Sequence, residues 1–114
     1  PSMKGKITGN SVRVPVITGS LTDFTAVLKK NVSVEEVNAA FKKAAESTLK
    51  PYLQYSEEPL VSGDIIGNTH SCIFDAPSTM VLEGNFVKVV AWYDNEMGYS
   101  SRIADLLQKM YSLK

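Results

Sequence analysis

The fold is decided by the stretch Thr79-Met-Val-Leu-Glu-Gly-Asn-Phe-Val-Lys-Val-Val-Ala-Trp-Tyr93. Its second half, Phe86 to Tyr93, is rich in β-branched and aromatic residues and carries the strongest strand signal in the chain. The run Thr79 to Leu82 has the same character, and Glu83-Gly84-Asn85 between the two runs is typical of a short turn. These residues predict two antiparallel strands joined as a hairpin.

Other strand signals lie on the amino-terminal side of this hairpin. Ser71 to Asp75 is predicted to form a strand, and Tyr55 to Asn68 a short strand within a loop. Ser11 to Leu21 is β-branched and partly alternating, which also predicts a strand, although Pro15 cannot donate a ladder hydrogen bond. Asp23 to Lys29 is predicted as a further strand, and one long bent strand over these last two runs is an open alternative.

Two helices are predicted. Ser33 followed by Glu36 forms a capping box, in which each side chain satisfies a backbone N–H at the start of a helix, and Pro51 bars its continuation. The apolar stripe of this helix consists of Val34, Val37, Phe41, Ala44, Ala45 and Thr48. A second amphipathic helix is predicted from about Gly98 to Ser112. Its apolar stripe consists of Tyr99, Ile103, Leu106, Leu107 and Met110. The order of elements indicates an α+β fold, in which a mixed or antiparallel sheet is flanked by helices.

The composition argues against several classes of protein. The 114 residues include 12 Lys and Arg and 12 Asp and Glu, so the formal charge is zero. Binding to nucleic acid or to an anionic membrane surface usually needs a basic excess, and neither partner is expected. No apolar run approaches the length of a membrane span, and no Gly-x-Gly-x-x-Gly motif indicates a dinucleotide-binding fold. The single cysteine rules out an intramolecular disulfide, which fits a reducing cytosolic setting.

His70 and Cys72 are the first pair to test as base and nucleophile. Residues two apart on a strand share a face, but they lie about 6 to 7 Å apart at the backbone, so a well-directed hydrogen bond is not favoured. Free cysteine is also among the residue types that are most often buried. A structural role for Cys72 is therefore favoured, and no metal site is expected because one Cys and one His are too few for zinc.

Arg13 and the segment Trp92 to Tyr99 are candidates for binding. The guanidinium of Arg13 suits bidentate capture of phosphate or carboxylate, although an exposed or ion-paired arginine is the simpler interpretation. The Asn95 amide offers donors and an acceptor and can bind a carboxamide, whereas Asp94 or Asn95 could equally well cap the following helix. The residues alone leave these alternatives open and indicate no reaction.

A family resemblance starts from the same segment. Trp92-Tyr-Asp-Asn-Glu-Met-Gly-Tyr-Ser-Ser-Arg102 resembles the Trp-Tyr-Asp-Asn-Glu-x-Gly-Tyr-Ser-x-Arg signature near the end of glyceraldehyde-3-phosphate dehydrogenases. Lys4 to Gly9, Arg13-Val-Pro15 and Thr69 to Asp75 resemble further elements of that family in the same order. The resemblance covers essentially the whole chain. It implies that residues 1–114 are the C-terminal portion of the catalytic (substrate) domain, and that the NAD-binding domain is absent from them.

The resemblance also implies which roles these residues have. The family converts glyceraldehyde 3-phosphate, NAD and phosphate to 1,3-bisphosphoglycerate and NADH, using a cysteine nucleophile and a histidine base. The nucleophile's motif, Ser-Cys-Thr-Thr-Asn-Cys, and that histidine do not occur here, so no catalytic residue is expected and the isolated chain is expected to be inactive. Arg13 matches the arginine that contacts substrate or inorganic phosphate, Asn95 the asparagine that holds the nicotinamide carboxamide, and Tyr99 the tyrosine near the nicotinamide ring.

Further expectations follow from the family. The intact enzyme is expected to use NAD and to be a cytoplasmic homotetramer, and the chain by itself is expected to self-associate through apolar surface. One alternative is a free-standing, non-catalytic interaction or structural module derived from the same domain. Another is a part of erythrose-4-phosphate dehydrogenase, which tends to have Phe where this chain has Tyr93 and Tyr99. After Arg13-Val-Pro15 the chain departs from the common family run Thr-x-Asn-Val-Ser and continues Val16-Ile-Thr-Gly-Ser20.

Overall fold

The fold is a four-stranded mixed sheet with two helices, described for residues 2–113 in a computed structural model. The elements follow the chain as β1 Ser20–Val27, α1 Val34–Glu46, β2 Leu53–Ser56, a short 3-10 helix Ser62–Ile65, β3 Cys72–Leu82, β4 Phe86–Tyr93 and α2 Met97–Ser112. The strands lie in the order β1-β4-β3-β2. Only β2 and β3 run parallel, whereas the other two pairs are antiparallel. The predicted α+β class is confirmed.

The predicted hairpin is formed by β3 and β4. Leu82 lies opposite Phe86, and the turn between them contains Gly84 at a φ of 77°, a left-handed conformation that glycine adopts at little cost. The two strands predicted at 71–75 and 79–82 are one strand, β3, whose register shifts within 75–80. That segment contains Pro77, which has no N–H to donate to a ladder. Proline therefore explains why the sequence signal is interrupted there.

β1 is an edge strand that pairs along its whole length with β4, beginning with Ser20 opposite Tyr93. The strand predicted at Asp23–Lys29 lies largely within it. The strand predicted over Ser11–Leu21 is wrong before Ser20, where the chain has no strand structure and is mostly exposed. Because β4 ends at Tyr93, the residues before Ser20 have no strand beside them, and Pro15 removes one further donor.

α1 begins at the predicted capping box and covers part of the sheet. The Ser33 hydroxyl accepts the Glu36 N–H at 3.2 Å, and the Glu36 carboxylate accepts the Ser33 N–H at 2.8 Å. Phe41 of α1 stacks on Phe74 of β3 with ring centres 4.0 Å apart. The buried cluster between this helix and the sheet consists of Ala45, Leu53, Phe74 and Ala76. The predicted stripe is confirmed at Val37, Phe41, Ala44 and Ala45, where apolar burial stabilises the helix against the sheet. The prediction is wrong for Thr48, which lies beyond the end of the helix and is exposed.

The segment between β2 and β3 is folded differently from the prediction. The strand predicted within Tyr55–Asn68 is present only at Tyr55 and Ser56, which end β2. The rest of that range contains the 3-10 helix Ser62–Ile65, which lies against β4. Ile65 is fully buried, so this turn anchors the loop through one apolar side chain. The short run of apolar residues that suggested a strand here instead supplies this anchor.

α2 starts where the second helix was predicted and is tied to the starts of β2 and β3. The guanidinium of Arg102 donates to the Pro51 carbonyl at 3.3 Å and to the Ser71 hydroxyl at 3.1 Å, and it lies 4.9 Å from the centre of the Tyr52 ring. The apolar stripe of this helix is nevertheless exposed, from 41% at Ile103 to 71% at Tyr99. No helix within residues 2–113 combines the length and apolarity needed to cross a membrane.

Candidate functional site

The junction Asp94-Asn95-Glu96 connects β4 to α2 and lies beside the residues that lead into β1. β1 and β4 are antiparallel, so the start of one and the end of the other lie at the same end of the sheet. Gly19 and Asn95 are consequently in contact although 76 positions separate them in the chain. The candidate site is built from these two segments, 18–20 and 94–96.

Asp94 organises the backbone of this junction. It is only 4% exposed, and its carboxylate accepts three backbone N–H groups, from Gly67 at 2.8 Å, Glu96 at 2.8 Å and Met97 at 2.9 Å. The N–H of Met97, with those of Gly67 and Glu96, holds the pKa of the Asp94 carboxyl below its ordinary value, because these bonds favour the charged form. Asp94 thus binds together the start of α2 and the loop that precedes β3.

Asn95 is exposed, and its amide is held in one orientation. Its Oδ1 accepts the Gly19 N–H at 3.1 Å and lies 3.3 Å from the hydroxyls of Thr18 and Ser20. A backbone N–H can only donate, so the oxygen and not the nitrogen of the amide must face Gly19. The Nδ2 group lies 3.4 Å from Glu96 Oε1, and its second N–H has no acceptor in the part of the chain that the structure describes.

The two alternatives that the sequence left open for this segment are divided between neighbouring residues. Asp94 is the residue that satisfies N–H groups at the start of α2, and Asn95 makes no such bond. The Asn95 side chain is instead fixed through its oxygen, and one N–H of its amide is left without an acceptor among the described residues. The site can therefore offer a hydrogen-bond donor of defined direction to a carbonyl oxygen.

Two glycines allow the close approaches around the site. Gly19 has a φ of 95°, and a Cβ placed there would lie 3.1 Å from the Ser62 carbonyl oxygen. Gly98 lies in the first turn of α2, where a Cβ would lie 2.9 Å from the His70 carbonyl oxygen. Sequence analysis missed both roles, because the atoms that require a glycine lie far away in the chain. The only signal was the position of each glycine next to a candidate segment.

The other predicted binding residues lie apart from this network. Tyr99 is in the first turn of α2 and is 71% exposed. Arg13 is exposed in the non-strand segment that leads to Thr18, and it forms no hydrogen bond or ion pair within residues 2–113. The structure thus brings Asn95 into a defined arrangement, but it does not join Arg13 or Tyr99 to it.

His70 and Cys72 do not form a catalytic pair. The Nδ1 atom of His70 lies 3.1 Å from Asn68 Oδ1, and no hydrogen bond joins the imidazole to the thiol. Cys72 packs against the core beneath α1, and burial raises the pKa of its thiol, which disfavours the thiolate needed for attack. Within the described part of the chain, no group of three or more His, Cys, Asp or Glu could hold a metal ion.

Comparison with known proteins identifies the family. A sequence model described as "Glyceraldehyde 3-phosphate dehydrogenase, C-terminal domain" matches residues 1–95. The chain belongs to the glyceraldehyde-3-phosphate dehydrogenase family. It is 60% identical over 112 residues to glyceraldehyde-3-phosphate dehydrogenase 1 of Bacillus cereus, which covers 98% of this chain and 34% of that protein. It is 57% identical over 106 residues to glyceraldehyde-3-phosphate dehydrogenase 2 of Streptomyces avermitilis, covering 93% of this chain and 32% of that protein.

The matches cover only part of each relative's length. A third relative, glyceraldehyde-3-phosphate dehydrogenase of Geobacillus stearothermophilus, is 58% identical over 106 residues, or 93% of this chain and 32% of its own length. The chain therefore spans about a third of the length of the curated relatives that it matches. Asp94 and Asn95 lie within the region matched by the family model.

Proposed function

We propose that this chain acts as the C-terminal part of the catalytic domain of a phosphorylating, NAD-dependent glyceraldehyde-3-phosphate dehydrogenase. The complete enzyme would oxidise glyceraldehyde 3-phosphate with NAD and phosphate and release 1,3-bisphosphoglycerate and NADH. Within it, this chain supplies the surface that holds the nicotinamide carboxamide and one phosphate contact. Family membership and the 54–60% identity to relatives that carry this enzyme's name support the proposal.

The observation that carries the proposal is the fixed amide of Asn95. Gly19 holds the Asn95 oxygen at 3.1 Å, so the side chain presents N–H to a ligand. A nicotinamide carboxamide has a carbonyl oxygen that accepts such a bond. The residues therefore fit the cofactor's nicotinamide end. NAD supplies the hydride acceptor when it is bound, and the contribution of Asn95 is to orient the ring relative to the substrate.

Arg13 and Tyr99 are proposed to complete the binding surface. The guanidinium of Arg13 is free of internal ion pairs within residues 2–113, so its donors are available for a substrate or inorganic phosphate. Tyr99 exposes its ring one turn beyond Asn95, where it can contact the nicotinamide ring. The sequence contains no Ser-Cys-Thr-Thr-Asn-Cys motif, and the nucleophile and base are proposed to lie outside these 114 residues.

A hybrid enzyme tests the proposal. This chain would replace the matching 32% of the Geobacillus stearothermophilus relative, and NADH formation would be followed with glyceraldehyde 3-phosphate and phosphate. We expect turnover by the hybrid and none by the 114-residue chain alone. A folded hybrid that forms no NADH, or turnover by the chain alone, would contradict the proposal. The hybrid with Cys72→Ser should keep its activity, because the proposed nucleophile is not Cys72.

Substitution of Asn95 in the hybrid tests the cofactor contact. Asn95→Asp removes the N–H donors and is expected to raise the KM for NAD at least about tenfold, because a carboxylate would then face the carboxamide oxygen. Gln108→Glu makes the same chemical change on the exposed side of α2 and should leave the KM unchanged. Equal effects of the two variants would assign no binding role to Asn95.

The remaining proposals concern substrate, assembly and location. Tyr93 and Tyr99 support glyceraldehyde 3-phosphate over erythrose 4-phosphate, and a higher kcat/KM of the hybrid for the first substrate would agree. The family also supports a cytoplasmic homotetramer as the complete enzyme. Sedimentation of the hybrid at several concentrations measures its assembly, and a stable monomer with full activity would speak against the tetramer.

A further inference from the structure

We infer that the segment Thr18-Gly19-Ser20 is a positioning element that sets the direction of the Asn95 amide, so that its N–H2 group and not its oxygen meets the cofactor. The inference rests on the proposed function, because it assigns the cofactor to the outer side of Asn95. It goes further by naming residues that do not touch the cofactor and yet determine which of its atoms can be recognised. These three residues approach the Asn95 oxygen together.

The distances indicate which residue of Thr18-Gly19-Ser20 forms the strongest hydrogen bond to the Asn95 oxygen. The Gly19 N–H to Asn95 Oδ1 distance of 3.1 Å lies within the usual range for N–H···O bonds. The hydroxyl oxygens of Thr18 and Ser20 both lie at 3.3 Å, which is longer than the usual O–H···O distance of about 2.7–2.8 Å. Gly19 is therefore the main donor, and the two hydroxyls add weaker bonds that oppose rotation of the amide.

Rotating the Asn95 amide by half a turn would move its oxygen away from all three donors. The N–H2 group would then face the Gly19 N–H, which has no lone pair to accept with, and two donors would be left opposed. The hydroxyls could turn to accept, but the Gly19 N–H could not. The backbone donor therefore makes the orientation asymmetric, and the hydroxyls reinforce it.

Gly19 can take this position because it has no side chain. Its φ of 95° lies in a region that side-chain-bearing residues rarely adopt, and a Cβ there would lie 3.1 Å from the Ser62 carbonyl oxygen. The backbone of Ser62, at the start of the 3-10 helix Ser62–Ile65, thus lies against Gly19 on the side where a side chain would project. The donor is held by packing of the loop as well as by the pairing of β1.

Thr18 connects this element to the buried carboxylate of Asp94. Its hydroxyl lies 3.4 Å from Asp94 Oδ1 and 3.3 Å from Asn95 Oδ1, and it has a single proton to donate. The same residue is thereby placed between the carboxylate that fixes the start of α2 and the amide that faces the ligand. Thr18 is a positioning residue, since it acts on the cofactor only through Asn95.

The first experiment measures the order of the Asn95 amide in the 114-residue chain itself, without cofactor. In a Thr18→Val/Ser20→Ala double variant, the NMR order parameter of the Asn95 side-chain N–H2 group should fall by about 0.2, close to the difference between rigid and flexible backbone groups. Thr18→Ser in place of Thr18→Val should restore most of the order. In the matched control, Thr25→Val/Ser20→Ala, the second hydroxyl removed is that of Thr25 in β1 and not that of Thr18. This control should lower the order parameter of the Asn95 amide less than the Thr18 variant does. An unchanged order parameter in the double variant would overturn the inference.

The second experiment measures recognition in the hybrid enzyme. Loss of the two hydroxyls should raise the KM for NAD about three- to tenfold with little change in kcat. Because sulfur is a weak acceptor, the preference for NAD over its thionicotinamide analogue depends on a directed N–H donor and should narrow by a similar factor. A rise in KM that is equal for both cofactors would indicate only general loosening and would count against the inference.

The two experiments separate this inference from the proposed function. A hybrid that is folded but inactive would contradict the proposed function, and the order of the Asn95 amide would still decide whether the segment positions it. If the hybrid is active but substitution of Thr18 and Ser20 changes neither its cofactor preference nor the order parameter of the Asn95 amide, the inference is overturned and the proposed function is not.

Discussion

Replacing Asp94 by Asn is the most direct test of the network that builds the site. The substitution keeps the size of the side chain but removes its charge and one of its two acceptor oxygens. At present Oδ2 accepts the Gly67 N–H, while Oδ1 accepts the N–H groups of Glu96 and Met97. If the remaining oxygen stays with Glu96 and Met97, the new N–H2 group must face the Gly67 N–H, and two donors meet in a buried place.

The structure gives the size of the expected loss. A hydrogen bond to a charged group contributes about 1.5–3 kcal/mol, and a neutral one about 1 kcal/mol. The variant loses the Gly67 bond and weakens the other two. Neighbouring bonds of one network do not add fully, so we expect a loss of about 2–5 kcal/mol in the free energy of unfolding. This is a large share of the about 5–15 kcal/mol that stabilises a typical domain.

Urea unfolding followed by tryptophan fluorescence measures this loss. Trp92 is the only tryptophan and lies two residues before Asp94. Its indole N–H donates to Asp75 at 3.0 Å, so its fluorescence reports on this end of the sheet. With a slope of about 1–3 kcal/mol per molar urea, the midpoint should fall by about 1 M or more at an unchanged slope. Asp105→Asn, which breaks the half-exposed ion pair with Arg102, is the control and should cost no more than about 1 kcal/mol. Equal shifts for Asp94→Asn and Asp105→Asn would refute the reasoning.

Four further outcomes are expected from the same structure. Folding lowers the pKa of Asp94 below its ordinary value of 3.8. The stability that the charged carboxylate contributes should therefore be complete above pH 3.8 and be lost as the pH falls through the lower folded pKa. The stability of Asp94→Asn, measured by acid unfolding, should lack this pH-dependent loss. Gly98→Ala should lower the urea midpoint, because crowding of the His70 carbonyl costs about 1–3 kcal/mol and outweighs a helix gain of at most about 1 kcal/mol. Cys72 should react with iodoacetamide more slowly than a free cysteine in the native chain and at the ordinary rate in urea, as mass spectrometry can follow. The isolated chain should show a concentration-dependent mass by light scattering, and Leu106→Glu/Leu107→Glu should shift it towards the monomer.

The elements that the sequence predicted well are those whose signals are local. The capping box of Ser33 and Glu36 needs only four residues, and it forms as predicted at the start of α1. The turn around Gly84 likewise fixes the β3–β4 hairpin from within. Because such signals depend on neighbours in the chain, they can be recognised without knowledge of the rest of the fold.

The strand predicted over Ser11–Leu21 failed for the opposite reason. Alternating β-branched residues favour an extended chain, but a strand also needs a partner for its backbone, and β4 ends opposite Ser20. The sequence could not predict either that Asp94 would bind the N–H groups at the start of α2 while Asn95 is held by the residues before β1. This arrangement depends on the N–H groups of Gly19 and Gly67, which only the folded sheet brings to the junction.

The arrangement of the site bears on how much of it this chain can organise alone. The groups that fix Asn95 and Asp94 come from residues 18–20, Gly67 and 96–97, all of which lie within the chain. The N–H donor that we propose meets the cofactor is therefore oriented by residues of this chain, and such pre-orientation would lower the entropy lost on binding. Arg13 has no such support, because no internal bond fixes its side chain within residues 2–113. We therefore propose that a bound phosphate would set its position. On the proposed function, the same surface would combine a fixed contact for the nicotinamide with an adaptable one for phosphate, and substitutions around Asn95 should then affect cofactor binding without changing phosphate binding.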